Sequence, residues 1–201
     1  MRGLLFALTL LAGCATPHGA RAPVNGAINA YSLDARFALK DERDHIEHGG
    51  AKQSFSGKLH WRHDSAGDRV LIQDPFGHGV AELDARMQGA VMRLADGRVA
   101  EAHDPSALMH DLTGIALPIR DLSRWLTGRN FPFQSDDRRD DAGRLSHIAR
   151  QGWIIHYRYD DDATDALPAR VTAENGQGVE LRLVIEQWGQ ENSVVRTVGN
   201  E

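Results

Sequence analysis

Phe55-Ser56-Gly57-Lys58-Leu59-His60-Trp61-Arg62 changes character at every step. Phe55, Gly57, Leu59 and Trp61 alternate with Ser56, Lys58, His60 and Arg62. A period of two sends successive side chains to opposite faces, so the stretch predicts an antiparallel strand with one face buried and one in water. Upstream, Leu33, Ala35, Phe37 and Leu39 alternate in the same way with Ser32, Asp34, Arg36 and Lys40. A polar loop from Asp41 to Gln53, rich in His and Gly, joins the two.

The pattern continues downstream. The turn Asp64-Ser65-Ala66-Gly67 leads into a strand over Arg69–Gln73, and short strands follow at Val80–Ala85, Ala90–Leu94 and Arg98–Ala102. Gly-bearing turns join them in meander fashion. The period then changes. Asp104 is placed to cap a helix with Pro105 in its first turn; Leu108, Met109 and Leu112 share a face, and Gly114 stops it. Pro118 opens a second short helix striped by Leu122, Trp125 and Leu126, with Gly128 as its stop. Gln134–Gly143 carries a dense charge run and reads as a solvated loop. Strands resume at Arg144–Arg150, Trp153–Tyr159, Ala169–Glu174 and Val179–Trp188.

A large sheet with one apolar face must bury that face, and two short helices cannot cover it tightly. The pattern therefore predicts a mainly β fold, a curved antiparallel sheet wrapped over helices around a cavity for an apolar ligand. The expected lining is Phe37, Leu39, Leu59, Trp61, Val70, Ile72, Leu122, Trp125, Trp153, Ile155, Leu181 and Leu183, from the concave strand faces and the second helix.

The N-terminus adds a location. Arg2 and the apolar run Leu4–Leu11 are followed by Leu11-Ala12-Gly13-Cys14, which holds the only cysteine of the 201 residues. The run is too short to span a bilayer and has the build of an export signal. Small residues leading to a thiol are the pattern of a bacterial lipoprotein signal. Residues 1–13 would be removed, and Cys14 would carry a diacylglyceryl group and an N-acyl chain. Two or more acyl chains anchor stably, at roughly 0.8 kcal/mol per buried methylene. Ala15 follows the cysteine; an aspartate there commonly signals inner-membrane retention, so the expected site is the outer membrane, facing the periplasm. Residues 14–28 then form a lipidated tether rich in small residues, Pro and Gly. Residues 29–190 form one domain, and 191–201 a polar tail.

Composition narrows the function. The hydrophobic fraction of 41% and charged fraction of 25% are ordinary for a globular domain. Losing Arg2 from 23 basic residues leaves 22 against 28 acidic ones, moving the net charge from -5 to about -6. Such a balance excludes a nucleic-acid partner and argues against holding anionic headgroups by charge alone. His45/His48 and His60/His63 are the closest histidine pairs, but the second would face opposite sides of a strand, and neither has the constellation a metal site needs. No free thiol, Gly-x-Ser-x-Gly elbow or phosphate-cradling glycine loop is present, and Asp136-Asp137 and Asp160-Asp161-Asp162 read as loop carboxylates. No enzyme and no cofactor beyond the lipid on Cys14 are expected. Asp74-Pro75-Phe76-Gly77-His78-Gly79 sets a large aromatic in a Pro/Gly turn. Position alone leaves it folded onto the core or exposed as an apolar tip.

Several segments together resemble the LolB family of outer-membrane lipoprotein receptors. They are Leu11–Cys14, Ala35–Leu39, Phe55–Trp61, Asp74-Pro75-Phe76-Gly77, Leu112-Thr113-Gly114-Ile115-Ala116-Leu117-Pro118, Trp125-Leu126-Thr127-Gly128, Gly152–Tyr157, Leu167-Pro168 and Val179–Trp188. The resemblance implies an incomplete, half-open antiparallel β-barrel with helices packed in its hollow. It implies a receptor that takes acylated lipoproteins from a periplasmic LolA-like carrier and inserts them into outer-membrane lipid. It further implies a monomer whose membrane-insertion loop is Pro75, Phe76 and Gly77, with Phe76 at the protruding position. Family members commonly carry an aliphatic residue there, so the aromatic departs from the pattern. The alternative from another class is a lipid-anchored envelope assembly protein that binds a protein partner through its sheet edges.

Overall fold

The computed structural model describes residues 28–43, 52–129, 132 and 134–189. Cys14, most of the tether, His45, His48 and the polar tail lie outside them. Alternation turns into strands where expected: β1 (Tyr31–Asp41), β2 (Gln53–Asp64), β3 (Gly67–Gln73), β4 (Gly79–Arg86), β5 (Gly89–Leu94) and β6 (Val99–Ala102). Helices α1 (Pro105–Thr113) and α2 (Ile119–Trp125) follow. Then come β7 (Arg138–Arg139), β8 (Leu145–Arg150), β9 (Trp153–Arg158), β10 (Arg170–Glu174) and β11 (Val179–Gly189).

The eleven strands make one antiparallel sheet in the order β6-β5-β4-β3-β2-β1-β11-β10-β9-β8-β7. With β6 and β7 at its two edges the sheet does not close, and the fold is an open β-barrel. Its centre is the long β1 ladder, where Leu33 pairs with Trp61 on one side and Trp188 on the other. Inward-facing Leu33, Ala35, Leu39, Leu59, Trp61, Val70, Leu83, Val171, Leu181 and Leu183 are buried together with Leu108, Met109, Ile119, Leu122, Trp125 and Leu126 of the helical segment. The helices thus fill the concave side. Burying such side chains is worth ~1.5–3 kcal/mol each, which is what curls the sheet around them.

The helix ends follow their sequence signals. The Asp104 carboxylate accepts from the Ser106 amide at 3.3 Å, and Gly114, at φ 74°, donates to the His110 carbonyl at 2.7 Å. Pro118 begins α2 without a side-chain cap. The Gly128 amide closes the following turn on the Trp125 carbonyl at 2.9 Å.

One expectation fails. Gln134–Gly143 is not simply a solvated loop, because it contains the two-residue strand β7 and a buried carboxylate. Asp137, expected as a loop carboxylate, is 6% exposed and paired with Arg150 at 2.7 Å. Burial alone would raise its pKa; the Arg150 hydrogen bond and the Gln134 amide outweigh that and hold it below the ordinary carboxylate value.

Candidate functional site

Between the sheet and the two helices lies a cavity of about 70 Å3 whose walls are wholly apolar. The strands supply Phe37 and Leu39 of β1, Leu59 and Trp61 of β2, Val70 and Ile72 of β3, Leu83 of β4 and Leu181 of β11. The helical segment supplies Met109, Leu117, Ile119 and Leu122. The walls offer a water molecule no hydrogen-bond partner, which suits the space to an apolar group. Ligand pockets usually run from ~300 to 1,000 Å3. In this conformation the cavity is well below that range.

The nearest polar anchors sit at the far end of the inner face. The Trp61 Nε1–H donates to Asp68 at 2.9 Å, and the His63 Nδ1 lies 2.8 Å from the same carboxylate. The Tyr31 hydroxyl donates to the Ser123 carbonyl of α2 at 2.6 Å. Burial pushes the Tyr31 phenol well above its ordinary pKa, so it remains a donor. The first two contacts tie β2 to β3, and the Tyr31 bond ties β1 to α2 beside the cavity residue Leu122.

The second feature is the β3–β4 turn. Phe76 is 87% exposed, the most exposed large hydrophobic side chain among the described residues. Its backbone is held firmly. The Gly77 amide donates to the Asp74 carbonyl at 3.0 Å, and Phe76 keeps a negative φ while Gly77 takes φ 95°. This is the type I pattern, with Pro75 in the position whose φ is preset. The Asp74 carboxylate accepts from the Phe76 amide at 2.8 Å and the His78 amide at 2.9 Å, and lies 2.9 Å from His78 Nδ1. The His78 hydrogen bond leads the causes that hold the Asp74 carboxyl below its usual range. At the base, Gln73 Nε2 donates to the Gly77 carbonyl at 3.0 Å. Gly57 completes the frame: a Cβ there would stand 2.1 Å from the Gln73 carbonyl oxygen. Only glycine lets β2 pass so close to the strand that launches the turn. An apolar ring is thus presented to solvent on a rigid mount.

An apolar cavity between sheet and helices and a stiff, outward aromatic turn are thus the two salient features of the domain. The profile of the family described as "Outer membrane lipoprotein LolB" matches residues 29–188. The chain belongs to the LolB family. Among curated relatives, the outer-membrane lipoprotein LolB of Dechloromonas aromatica is 36% identical over 92% of this chain and 95% of its own length. Its namesake in Azoarcus is 32% identical over 89% of each chain. Among solved structures, a beta-barrel-like protein from Brucella abortus aligns over 82% of this chain at 10% identity with a TM-score of 0.24.

Within this LolB-family fold, eight of the twelve residues read from the sequence as cavity lining border this cavity: Phe37, Leu39, Leu59, Trp61, Val70, Ile72, Leu122 and Leu181. Trp125, Trp153, Ile155 and Leu183 are buried and do not border this cavity. Leu83, Met109, Leu117 and Ile119 join the lining although the sequence did not single them out. Met109 carried a signal, since it shares the apolar face of α1. Leu83 occupies an alternate position of β4; Leu117 and Ile119 lie in the stretch around Pro118, where no period marks a face. Pro75, Phe76 and Gly77 form the exposed turn. His60 and His63 do face opposite sides, the first 2.8 Å from Asp34 and the second beside Asp68. Among the described residues no cluster of His, Cys, Asp and Glu could hold a metal ion, and no helix is long and apolar enough to cross a membrane.

Proposed function

We propose that the protein is an outer-membrane acceptor that takes the acyl chains of lipoproteins from a LolA-like periplasmic carrier and passes them into lipid without covalent chemistry. The observation that carries this is the wholly apolar cavity between the sheet and two short helices. An acyl chain with ~15 methylenes holds roughly 10 kcal/mol of hydrophobic free energy, so it cannot cross water unshielded. The cavity is far smaller than such a chain. Loading therefore displaces α1 and α2, with the flexible Met109 side chain at the contact the chain would replace. No energy source acts, so the acceptor must hold the chains better than the carrier does, and the bilayer better than the acceptor.

Delivery falls to Phe76. A ring held away from the domain surface by Asp74 enters the acyl region of a bilayer without unfolding anything behind it, and brings the mouth of the barrel to the lipid. The thiol of Cys14, acylated, would keep the domain at the outer membrane between deliveries.

The test uses the domain beginning at Ala15, mixed with a carrier already loaded with a triacylated lipoprotein, with and without liposomes. Cargo should move to this protein, and Phe76→Glu should accept cargo but fail to release it to liposomes. Cargo that stays on the carrier would overturn the acceptor reading and direct attention to a protein partner at the sheet edges.

A further inference from the structure

We propose that the membrane contact extends beyond the Phe76 tip to the outer face of the β3–β4 hairpin, where Leu71, Val80 and Lys58 form an interfacial shoulder for a bilayer containing anionic phospholipid. The inference rests on the reading of Phe76 as a membrane wedge. Two observations carry it. The first is the clustering of exposed apolar side chains around the turn. Leu71 is 38% exposed and Val80 40%, each on the face opposite the core. Leu71 pairs with Glu82 across the β3–β4 ladder, two residues from Val80, so the two aliphatic groups are diagonal neighbours. Val80 stands there because the register slips beside it: Ile72 pairs with Ala81, but Gln73 pairs with Gly79. The extra residue is turned outward, and its carbonyl is held by the Ala95 amide at 3.0 Å.

The second observation is the charge beside them. Gln73, at the base of the turn, pairs with Lys58, and Lys58 pairs with Arg36, so the row leading to the turn on the outer face is basic. Arg36 is neutralised by Glu186 at 2.8 Å, whereas Lys58 has no ion-pair partner among the described residues. The acids bordering the shoulder have partners of their own: Glu82 lies 4.0 Å from Arg69, Asp74 lies 2.9 Å from His78 Nδ1, and Asp34 lies 2.8 Å from His60 Nδ1. A lone ammonium next to two aliphatic groups and an exposed aromatic matches the layering of a membrane interface: apolar groups at the acyl boundary, a cation among phosphates. The chain as a whole is acidic at -5, so this local cation sets which way the domain turns its apolar side.

The shoulder fixes the pose. A tip alone would let the domain pivot on Phe76; a second contact along the hairpin holds its outer face down, and Lys58 ties that pose to anionic lipid.

Single cysteines at positions 71, 76, 80 and 86 of the full chain would be spin-labelled after reconstitution into phosphatidylethanolamine/phosphatidylglycerol vesicles. The parent chain, whose sole thiol is Cys14, serves as the blank. Collision with oxygen against a nickel chelate reads depth. Labels at 71, 76 and 80 should report lipid and the label at 86 water, and Lys58→Glu should shift the label at 80 toward water in anionic vesicles but not in phosphatidylcholine. If 76 reports lipid while 71 and 80 report water, the shoulder is wrong and the wedge stands. If all four report water, the wedge falls with it. Insensitivity of the label at 80 to Lys58→Glu would remove the anionic-lipid requirement.

Discussion

The two halves of the sheet bury apolar faces of the same pattern, yet they pack differently. Around a cavity of about 70 Å3, β1–β4 meet α1 and the start of α2 through aliphatic and aromatic side chains. Directional bonds join the two layers at the margins, from Tyr31 to the Ser123 carbonyl at 2.6 Å, Arg120 to the Arg86 carbonyl at 2.7 Å and Arg43 to the Gly114 carbonyl at 3.1 Å. β8–β10 meet the end of α2 through bonds as well as contacts. The Tyr157 hydroxyl donates to the Trp125 carbonyl at 2.9 Å, the Tyr159 hydroxyl to the Leu145 carbonyl at 2.8 Å, and the Arg144 guanidinium lies 4.2 Å from the centre of the Tyr159 ring. Burial raises the Tyr159 phenol to about 12, so it keeps its proton. Asp137 and Arg150 complete that half with a buried ion pair. The difference lies in where the directional bonds sit: in one half they run through the packed interior, and in the other they lie at the rim of a space bounded by nondirectional contacts.

Arg150→Ala should strike the fixed half hardest. It leaves Asp137 buried without its cation, a loss of about 3–5 kcal/mol in urea unfolding. The same pair gives a pH signature. The folded pKa of Asp137 is depressed, so its contribution is complete above the unfolded value of ~3.9 and is lost as pH falls through the lower folded value. The acid limb of the stability curve should therefore flatten in Asp137→Asn, and an unchanged limb would separate the pair from acid stability. Adding one methylene to each half sharpens the contrast. Val171→Ile, into the packed side, should cost about 1–3 kcal/mol. Val70→Ile, into the cavity, should be neutral or stabilise by up to ~1 kcal/mol, while slowing uptake of an apolar fluorophore. Equal costs at both sites would erase the comparison. The smallest effect on stability belongs to Phe76→Ser, within about 0.5 kcal/mol, because the side chain touches little; vesicle delivery should fall nonetheless.

Strands were legible because alternation depends on neighbours in sequence, and Leu33, Leu59, Trp61 and Leu181 all lie where the period of two places them. What stayed hidden depends on partners far along the chain. Nothing near Asp137 announces Arg150, and Asp68 is buried only because Trp61 and His63 fold back onto it. Cavity lining was legible only in part, since alternation gives the face of a residue and not its depth: Leu183 and Leu181 share a face of β11, yet only Leu181 borders the void. Phe76 is a third case. Its turn was written in Asp74, Pro75 and Gly77, but local sequence left the direction of the ring open, and the resemblance to the LolB family supplied it.

The direction in which β1 runs has a mechanical consequence. Tyr31 pairs with His63 at one end of the ladder, while Phe76 leaves the sheet beyond Gln73, at the level of Lys58 and Arg36 and further along. At about 3.3 Å per residue, the entry of the chain and the aromatic tip stand roughly 25 Å apart. Were Cys14 the lipid mooring that the sequence leads one to expect, the fourteen residues from there to Ile28 would have to bridge that distance for the ring to touch the bilayer. Fully drawn out at 3.3–3.6 Å per residue, that leash reaches about 45–50 Å. The reach exceeds the need by less than a factor of two. With such a mooring, leash length would be a working dimension of the molecule: cut by half, it would leave the tip no slack with which to reach the surface.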